Sequence, residues 1–225
     1  MSSPAQQMHS YYAARAAEYD AVYLKPERQA DLRAIEAWLP TRFGEGAAVL
    51  EVACGTGYWT QFIAPKASRM LALDAAPETL AIARNRLAGE QAVEFVVSDA
   101  YALPKRGGSV FDAAFAGFWF SHVPKGRRRE FLAGLAEAVE PGARIVLIDN
   151  RFVEGSSTPL SEHDAEGNTY QLRTLNDGSR HRVLKNFPSR AELEGAIEGL
   201  GSSPVFTEWQ YFWAFEYLAA GPSQG

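Results

Sequence analysis

The chain has 225 residues, of which 47% are hydrophobic, and a formal net charge of −5. Domains typically hold roughly 100–200 residues, so we expect residues 1–225 to form a single domain with a sizeable core. The mild acidity argues against a dedicated nucleic-acid binder, which would normally present a basic face. The single cysteine, Cys54, excludes an intramolecular disulfide framework and favours a reducing, cytoplasmic setting. The sequence has neither a signal-peptide pattern near its start nor an apolar run of membrane-spanning length, so we expect no membrane insertion.

Two helical segments are predicted first along the chain, over residues 10–22 and 26–39. Pro26 suits a first helical turn, and Pro40 ends the second segment. Residues 1–40 are therefore expected to form a helical cap in front of the main domain.

Short apolar runs rich in strand-forming residues begin at Ala47 and alternate with helix-compatible stretches. The predicted strands cover residues 47–52, 69–74, 92–99, 111–118 and 143–149, and the predicted helices cover 58–64, 77–88 and 125–140. This alternation is typical of a doubly wound α/β fold, in which helices cover both faces of a mostly parallel sheet. The continuously apolar strands fit burial on both faces, so residues 41–149 are predicted to be the core.

The pattern changes after Asp149. Residues 150–187 are polar and turn-rich, and we interpret them as an insertion. Within it, residues 169–175 and 180–186 are predicted to pair as a hairpin around an Asn-Asp-Gly-Ser turn. Residues 188–218 are expected to supply another helix and one or two strands that close the sheet.

A turn of small residues follows the first predicted strand, in the sequence Glu51-Val-Ala-Cys-Gly-Thr-Gly57. At the carboxyl end of a parallel strand, glycines let the backbone approach a ligand closely, and the next helix offers free N–H groups. The turn therefore indicates a nucleotide-like ligand. A dinucleotide-binding fingerprint would need a third glycine where this chain has Tyr58-Trp59-Thr60, and the Gly-Lys-Ser/Thr sequence of a P-loop is absent.

This turn resembles the acidic, glycine-rich motif of the class I S-adenosylmethionine-dependent methyltransferases, with Ala53 in place of the first family glycine. Further landmarks follow in family order: Asp74 ending the second strand, Asp99 after the third, and the runs 111–124 and 140–149. The resemblance implies a seven-stranded, mostly parallel, Rossmann-like sheet, here with an N-terminal helical cap and a hairpin insertion after strand five. It also implies S-adenosylmethionine as cofactor, with S-adenosylhomocysteine as the product.

The resemblance implies a role for each matched position. Asp74 would accept hydrogen bonds from both ribose hydroxyls, Asp99 would accept one from the adenine amino group, and Glu51 would support the methionine end of the cofactor. The expected cofactor-binding residues are Tyr19, Glu51, Ala53, Gly55, Thr56, Gly57, Asp74, Ala75, Asp99, Ala100, Tyr101 and Gly117.

The implied reaction is methyl transfer by in-line displacement to an O or N atom of a small molecule. A sulfonium cofactor already carries an activated methyl group, so the protein mainly supplies proximity, alignment and exclusion of water. His122, just past the fourth strand, is the candidate general base; the alternative is a structural histidine at a strand-to-helix junction. Candidate substrate-site residues are Tyr11, Tyr12, Arg15, Trp119, Arg151 and His163.

No metal is expected. The four histidines and one cysteine have no zinc-binding spacing. Asp149-Asn150 matches part of the magnesium pattern of catechol-type O-methyltransferases, but Gly117-Phe118 stands where those enzymes need a second acidic residue.

Other functions stay open at this point. A protein-directed methyltransferase and a non-catalytic S-adenosylmethionine-binding protein both fit the motifs, whereas the missing third glycine disfavours a nicotinamide-dependent oxidoreductase. We expect a small-molecule substrate, no nucleic-acid or membrane partner, and a monomer or homodimer.

Overall fold

A computed structural model describes residues 15–105 and 111–221. Its strands are β1 (Ala48–Val52), β2 (Arg69–Asp74), β3 (Val93–Val97), β4 (Ala113–Gly117), β5 (Arg144–Asn150), β6 (Glu162–His163), β7 (Thr169–Thr174), β8 (Arg180–Leu184), β9 (Gly201–Glu208) and β10 (Phe212–Ala219). Its α-helices are α1 (Gln29–Trp38), α2 (Thr60–Ile63), α3 (Pro77–Arg86), α4 (Arg128–Ala138) and α5 (Arg190–Ala196). Short 3-10 helices cover Ala16–Leu24, Pro26–Arg28, Leu39–Arg42, Ala64–Lys66, Phe120–His122 and Lys125–Arg127.

Seven strands form the main sheet in the order β3-β2-β1-β4-β5-β10-β9. The first five strands are parallel, β10 runs antiparallel to β5, and β9 runs antiparallel to β10. The predicted seven-stranded, mostly parallel sheet is therefore confirmed. The strand order reverses between β1 and β4, and in open α/β sheets ligands bind in the crevice outside the carboxyl ends at such a point.

The central strands are buried on both faces, as their continuous apolar sequences predicted. Leu50 and Ile145 pack into the core on one face of the sheet, whereas their neighbours Val49 and Val146 pack into the core on the other. All four side chains are fully buried. Successive side chains of a strand point to opposite faces, so a strand with a core on each side must be apolar throughout.

The cap differs from the prediction in its local geometry. Within the described residues, Ala16–Leu24 is a 3-10 helix where an α-helix was expected as far as residue 22, whereas residue 15 is α-helical and residues 10–14 of that predicted helix lie outside the described residues. Its apolar residues do not form one face at the α-helical period, and Tyr23 and Asp20 instead contact the glycine turn one by one. Tertiary contacts therefore set the conformation of this segment. None of the helices in residues 15–105 and 111–221 is long and apolar enough to cross a membrane.

The insertion contains the predicted hairpin. β7 and β8 pair antiparallel from Tyr170↔Leu184 to Thr174↔Arg180, and the two-residue strand β6, which the sequence did not predict, adds to β7. The predicted closing strands are resolved as β9 and β10, joined by a tight turn in which Trp209 N–H donates to the carbonyl of Phe212 at 2.9 Å.

Candidate active site

A cavity lies where the strand order reverses, at the carboxyl ends of β1, β2 and β4. It brings together residues from the cap, the glycine turn, the ends of β2, β3 and β4, and the end of β8 in the insertion. The lining residues are Tyr19, Ala53, Asp74, Ala75, Ala76, Thr79, Ser98, Asp99, Ala100, Tyr101, Gly117, Phe118, Trp119, His122, Pro124, Arg127 and Leu184.

The glycine turn reaches this cavity through left-handed backbone. Ala53, Gly55 and Gly57 have φ values of 57°, 56° and 74°. A Cβ atom at Gly57 would also come within 2.9 Å of Leu87 Cδ1 and 3.1 Å of Ala83 Cβ, so glycine lets the turn pack against α3. Ala53 adopts the same region despite its Cβ, which places a strained residue at the cavity wall.

Asp74 is held rigidly at the end of β2. Its Oδ2 accepts a hydrogen bond from Gly55 N–H at 2.8 Å, which ties β2 to the glycine turn. Its Oδ1 accepts from Ala76 N–H at 2.9 Å and from Thr79 Oγ1 at 3.1 Å. These three bonds fix the orientation of the Asp74 carboxylate at the cavity wall.

Asp99 and Tyr101 form a second wall of the cavity. Asp99 Oδ1 accepts from Tyr101 N–H at 2.8 Å. The guanidinium of Arg127 lies 3.5 Å from the centre of the Tyr101 ring, so a cation covers that aromatic face. Arg127 is not among the site residues expected from the sequence, and its position at this wall depends on how α4 packs on the sheet.

Glu51 lies beneath the turn and is only 1% exposed. Its Oε2 accepts from Thr60 Oγ1 at 2.7 Å, and burial raises its pKa to about 8. The residues that line the cavity in the described chain do not include Glu51, Gly55, Thr56 or Gly57. These four support the turn from inside, and their expected contact with the cofactor stays a prediction.

The cap covers the glycine turn. A Cβ atom on Gly55 would lie 3.1 Å from the Tyr19 ring, which shows how closely the tyrosine approaches. Asp20 accepts from Thr56 Oγ1 at 2.6 Å and forms an ion pair with Arg86 of α3. Tyr23 stacks on Tyr58 with ring centroids 3.7 Å apart. The cap thus closes one side of the cavity from solvent.

His122 is buried and lines the cavity. Its Nδ1 lies 2.6 Å from the carbonyl oxygen of Leu184, which can only accept, so Nδ1 carries the proton and Nε2 is the acceptor nitrogen of the neutral ring. Burial lowers the pKa of His122 well below its usual value, and the positive charges of Lys185 and Arg173 lower it further. The imidazole is therefore neutral at physiological pH, as a general base must be.

A buried ion pair lies directly behind His122. Lys185 Nζ donates to Asp149 Oδ1 at 2.8 Å and to Ser121 Oγ at 2.5 Å, and Ser121 N–H donates to Asp149 Oδ2 at 2.8 Å. Burial lowers the pKa of Lys185 to about 8, an effect that the Asp149 carboxylate opposes. Sequence reasoning missed this lysine. The signal was available, since a lysine within the apolar stretch Val183–Phe187 needs a buried partner.

The remaining candidates are dispersed. Trp119 lines the cavity, and its buried indole N–H has no hydrogen-bond partner among the described residues. Arg15 lines a second cavity beside the first. Arg151 instead donates to the Trp209 carbonyl at 2.7 Å and pairs with Glu208 at 3.3 Å, and His163 is exposed on β6. Tyr11 and Tyr12 lie outside the described residues.

The cavity suits an adenosyl ligand in its chemistry. The carboxylates of Asp74 and Asp99 can accept from hydroxyl and amino groups of a ligand. A Cβ atom on Gly117 would lie 2.8 Å from Phe115 Cζ, so only glycine fits at the end of β4. Across residues 15–105 and 111–221, no cluster of three His, Cys, Asp or Glu side chains could hold a metal ion.

Comparison with known proteins gives a consistent result. The family described as "Methyltransferase domain" matches residues 49–142. A demethylmenaquinone methyltransferase of Clavibacter sepedonicus is 36% identical over 164 residues, which cover 73% of this chain and 63% of that protein. A ubiquinone biosynthesis O-methyltransferase of Xanthomonas axonopodis pv. citri is 30% identical over 158 residues, covering 69% of this chain and 62% of that protein. The chain thus spans less than two thirds of the length of these curated relatives.

Two solved structures match nearly the whole chain. The DhpI–SAM–HEP complex has a TM-score of 0.77 and 33% identity, with 96% of this chain and 99% of that chain covered. The DhpI–SAH complex has a TM-score of 0.76 at the same identity, with 96% and 97% covered. The family resemblance and the cofactor that it implies are confirmed by these matches. The chain belongs to the class I S-adenosylmethionine-dependent methyltransferases.

Proposed function

We propose that this chain transfers a methyl group from S-adenosylmethionine to an O or N atom of a small molecule. The observation that carries the proposal is the cavity at the strand-order reversal, which is lined by Ala53 of the glycine turn, by the carboxylates of Asp74 and Asp99, and by His122. Two curated relatives are O-methyltransferases by name, which favours oxygen as the acceptor atom.

In this reaction, different residues of the chain would bind the cofactor, exclude water and accept the proton. Asp74 would orient the ribose and Asp99 the adenine of the cofactor, whose sulfonium supplies the activated methyl group. Tyr19 and the cap would exclude water from the reacting atoms. His122 would accept the proton at Nε2 when the acceptor is a hydroxyl group, because its Nδ1 proton is committed to the Leu184 carbonyl.

The aromatic wall of the cavity supports a small-molecule acceptor over a protein substrate, since Tyr101, Phe118 and Trp119 all line it. We propose that residues 1–225 act as one functional unit, with 1–40 as the cap and 150–187 as the wall on the substrate side. A cytoplasmic location fits the single cysteine, which is buried in the glycine turn, and a monomer or homodimer stays our proposal for the assembly.

The test is calorimetric titration with S-adenosylmethionine, S-adenosylhomocysteine and NADH. We expect binding of the first two and none of NADH. The Asp74→Asn variant should weaken binding of S-adenosylhomocysteine by about tenfold or more, because an amide cannot accept two hydroxyl donors in the same way as a charged group. The Asp177→Asn variant, in the exposed hairpin turn, is the matched control. Binding of NADH alone would overturn the proposal, and equal affinities in both variants would remove Asp74 from the ribose site.

A further inference from the structure

Three successive residues at the end of β8 bond to the turn that carries His122. The carbonyl oxygen of Leu184 lies 2.6 Å from His122 Nδ1. Lys185 Nζ donates to Ser121 Oγ at 2.5 Å, and Asn186 N–H donates to the Ser121 carbonyl at 2.7 Å. The position of the His122 ring is therefore tied to the segment of the insertion that contains Lys185.

Asp149 holds the same turn from the sheet. Its Oδ2 accepts from Ser121 N–H at 2.8 Å, and its Oδ1 accepts from Lys185 Nζ at 2.8 Å. Asp149 is fully buried and Lys185 is 4% exposed. An isolated buried charge is costly, so each of the two groups stabilises the other in its charged form. The serine next to His122 is thus bonded to both members of a buried ion pair.

The two members of the pair act on His122 in opposite directions. A nearby carboxylate favours the protonated imidazole, whereas a nearby ammonium group favours the neutral one. Burial lowers the pKa of His122 most, Lys185 and then Arg173 lower it further, and Asp149 raises it. Without Lys185, the buried carboxylate would favour an imidazolium, which cannot accept a proton.

Other ionisable groups surround His122 and Lys185. Burial lowers the pKa of Lys185 most, and Arg173 of β7 and Arg15 of the cap also lower it, against the attraction of Asp149. Further ionisable side chains line the cofactor cavity from the cap, from the ends of β2 and β3 and from the segment before α4, namely Tyr19, Asp74, Asp99, Tyr101 and Arg127. The wild type and a variant at position 185 share all of these groups, so a comparison of the two isolates Lys185.

We propose that Lys185 is a positioning residue for methyl transfer: by pairing with Asp149 and bonding to Ser121, it keeps His122 in the neutral, Nδ1-protonated form. In that form the ring can accept a proton from the methyl acceptor at Nε2. This inference rests on the proposed methyltransferase function. It goes beyond that function because Lys185 is not among the described residues that line the cofactor cavity, and so acts through His122.

The experiment follows the His122 imidazole by NMR between about pH 5 and about pH 7.5, in protein loaded with S-adenosylhomocysteine. This range lies below the Lys185 pKa of about 8, so the lysine carries its charge throughout. The chain has four histidines, and loss of one signal in His122→Gln assigns the resonance.

Lys185→Met should raise the pKa of His122, so that the ring takes up a proton at a higher pH than in the wild type. The double variant Asp149→Asn/Lys185→Met removes both charges and should return that pKa toward the wild-type value. Lys125→Met is the matched control, since it removes the same charge from an exposed lysine three positions from His122. Solvent screens that charge, so the control should leave the titration of His122 unchanged.

Turnover of a methyl acceptor gives a second readout. In Lys185→Met, the ratio of kcat at about pH 7.5 to kcat at about pH 5.5 should rise by about threefold to tenfold over the wild-type ratio, while KM for S-adenosylmethionine stays within about twofold. A residue that only supported the fold would lower kcat by the same factor at each pH.

An unchanged pKa of His122 in Lys185→Met would overturn the inference. An equal rise in the double variant would also overturn it, because the effect would then not run through Asp149, and so would an equal rise in Lys125→Met. If Lys185→Met fails to fold, Lys185→Gln takes its place, since glutamine removes the charge but still offers N–H donors, and the same rise is expected. Failure of the proposed function is separate: the wild type would not bind S-adenosylhomocysteine, and His122 could still be titrated in the unliganded protein.

Discussion

Ala53 carries a conformational cost at the first position of the cofactor turn. Its φ of 57° lies in the left-handed region, which costs an L-residue roughly 1–2 kcal/mol, and the family motif has glycine at this position. Substitution by glycine relieves that cost but adds about 0.5–1 kcal/mol of unfolded-chain entropy. The relief of strain is slightly larger than the entropy cost, so glycine at position 53 should be slightly more stable than alanine.

We therefore expect Ala53→Gly to raise the free energy of unfolding by up to about 1 kcal/mol, measured by urea denaturation. Ala67→Gly is the matched control, because Ala67 has a φ of −79° and gains nothing from glycine. The control should lose about 0.5–1 kcal/mol. Equal destabilisation of the two variants would show that Ala53 is not strained.

Glu51 should make stability depend on pH. Its folded pKa is about 8 because of burial, against an unfolded value of 4.5, so between these values the folded state binds more protons than the unfolded state. The stabilising contribution is complete below pH 4.5 and is lost as the pH rises through 8. Glu51→Gln cannot ionise, and its amide oxygen can still accept from Thr60.

The stability of Glu51→Gln relative to wild type should therefore increase as the pH is raised from about 5 to about 8. Denaturation curves at several pH values in that window measure the difference. Glu90 is exposed, so the free energy of unfolding of the control variant Glu90→Gln should change with pH in the same way as that of the wild type. If the free energies of unfolding of Glu51→Gln and the wild type differed by the same amount at every pH in that window, the raised pKa of Glu51 would be contradicted.

At the scale of elements, the cap is attached to the glycine turn by a small polar cluster. Asp20 bonds Thr56 of the turn and Arg86 of α3, so one carboxylate joins three elements. The short 3-10 segment has little apolar periodicity of its own, and these contacts hold it over the cavity. Because Tyr19 of the cap lines the cavity, we expect a bound nucleoside to leave when the cap opens.

Asp20→Asn should accelerate dissociation of S-adenosylhomocysteine by about threefold to tenfold, since it removes the ion pair with Arg86 and weakens the bond to Thr56. Stopped-flow displacement measures the rate. High salt should shrink the difference, because the ion pair is partly exposed. Glu45→Gln, an exposed carboxylate at the amino end of β1, should leave the rate unchanged. An unaltered rate in Asp20→Asn would mean that the cap is held by its aromatic contacts alone.

At the scale of the whole molecule, the site exists only because the insertion folds back onto the sheet. Leu184 of β8 sets the tautomer of His122 at the end of β4, and Lys185 pairs with Asp149 at the end of β5. The partners in these two contacts are separated by 62 and by 36 positions in the chain, and together they form one wall. The insertion therefore contributes to the wall of the candidate site through Leu184.

His122→Gln should lower kcat for a hydroxyl acceptor by about 100-fold while the affinity for S-adenosylhomocysteine is unchanged, because glutamine cannot accept the proton. In the wild type, the rate should rise with pH through an apparent pKa below 6.5 and then level off, since only the neutral imidazole acts as base. An acceptor found by transfer of labelled methyl allows both measurements. A small loss of kcat would make His122 a structural histidine.

Much of this architecture could be predicted from local patterns. The five parallel strands and the glycine turn follow from residues close in sequence, because apolar runs and turns are encoded locally. Asp74 and Asp99 were assigned by resemblance to the family motifs that follow the second and third strands. Arg151 and His163 were expected at the substrate site, but Arg151 pairs with Glu208 and His163 lies on the exposed strand β6.

The sequence by itself determined the fold class, the family and the position of the cofactor turn, since periodic apolar runs and motif spacing report local structure. Only the tertiary structure decided that Lys185 pairs with Asp149 and that Ala16–Leu24 of the cap adopts a 3-10 conformation. These features depend on contacts between residues that are distant in the chain. Such contacts are set by packing and by the need to pair buried charges, which no local pattern records.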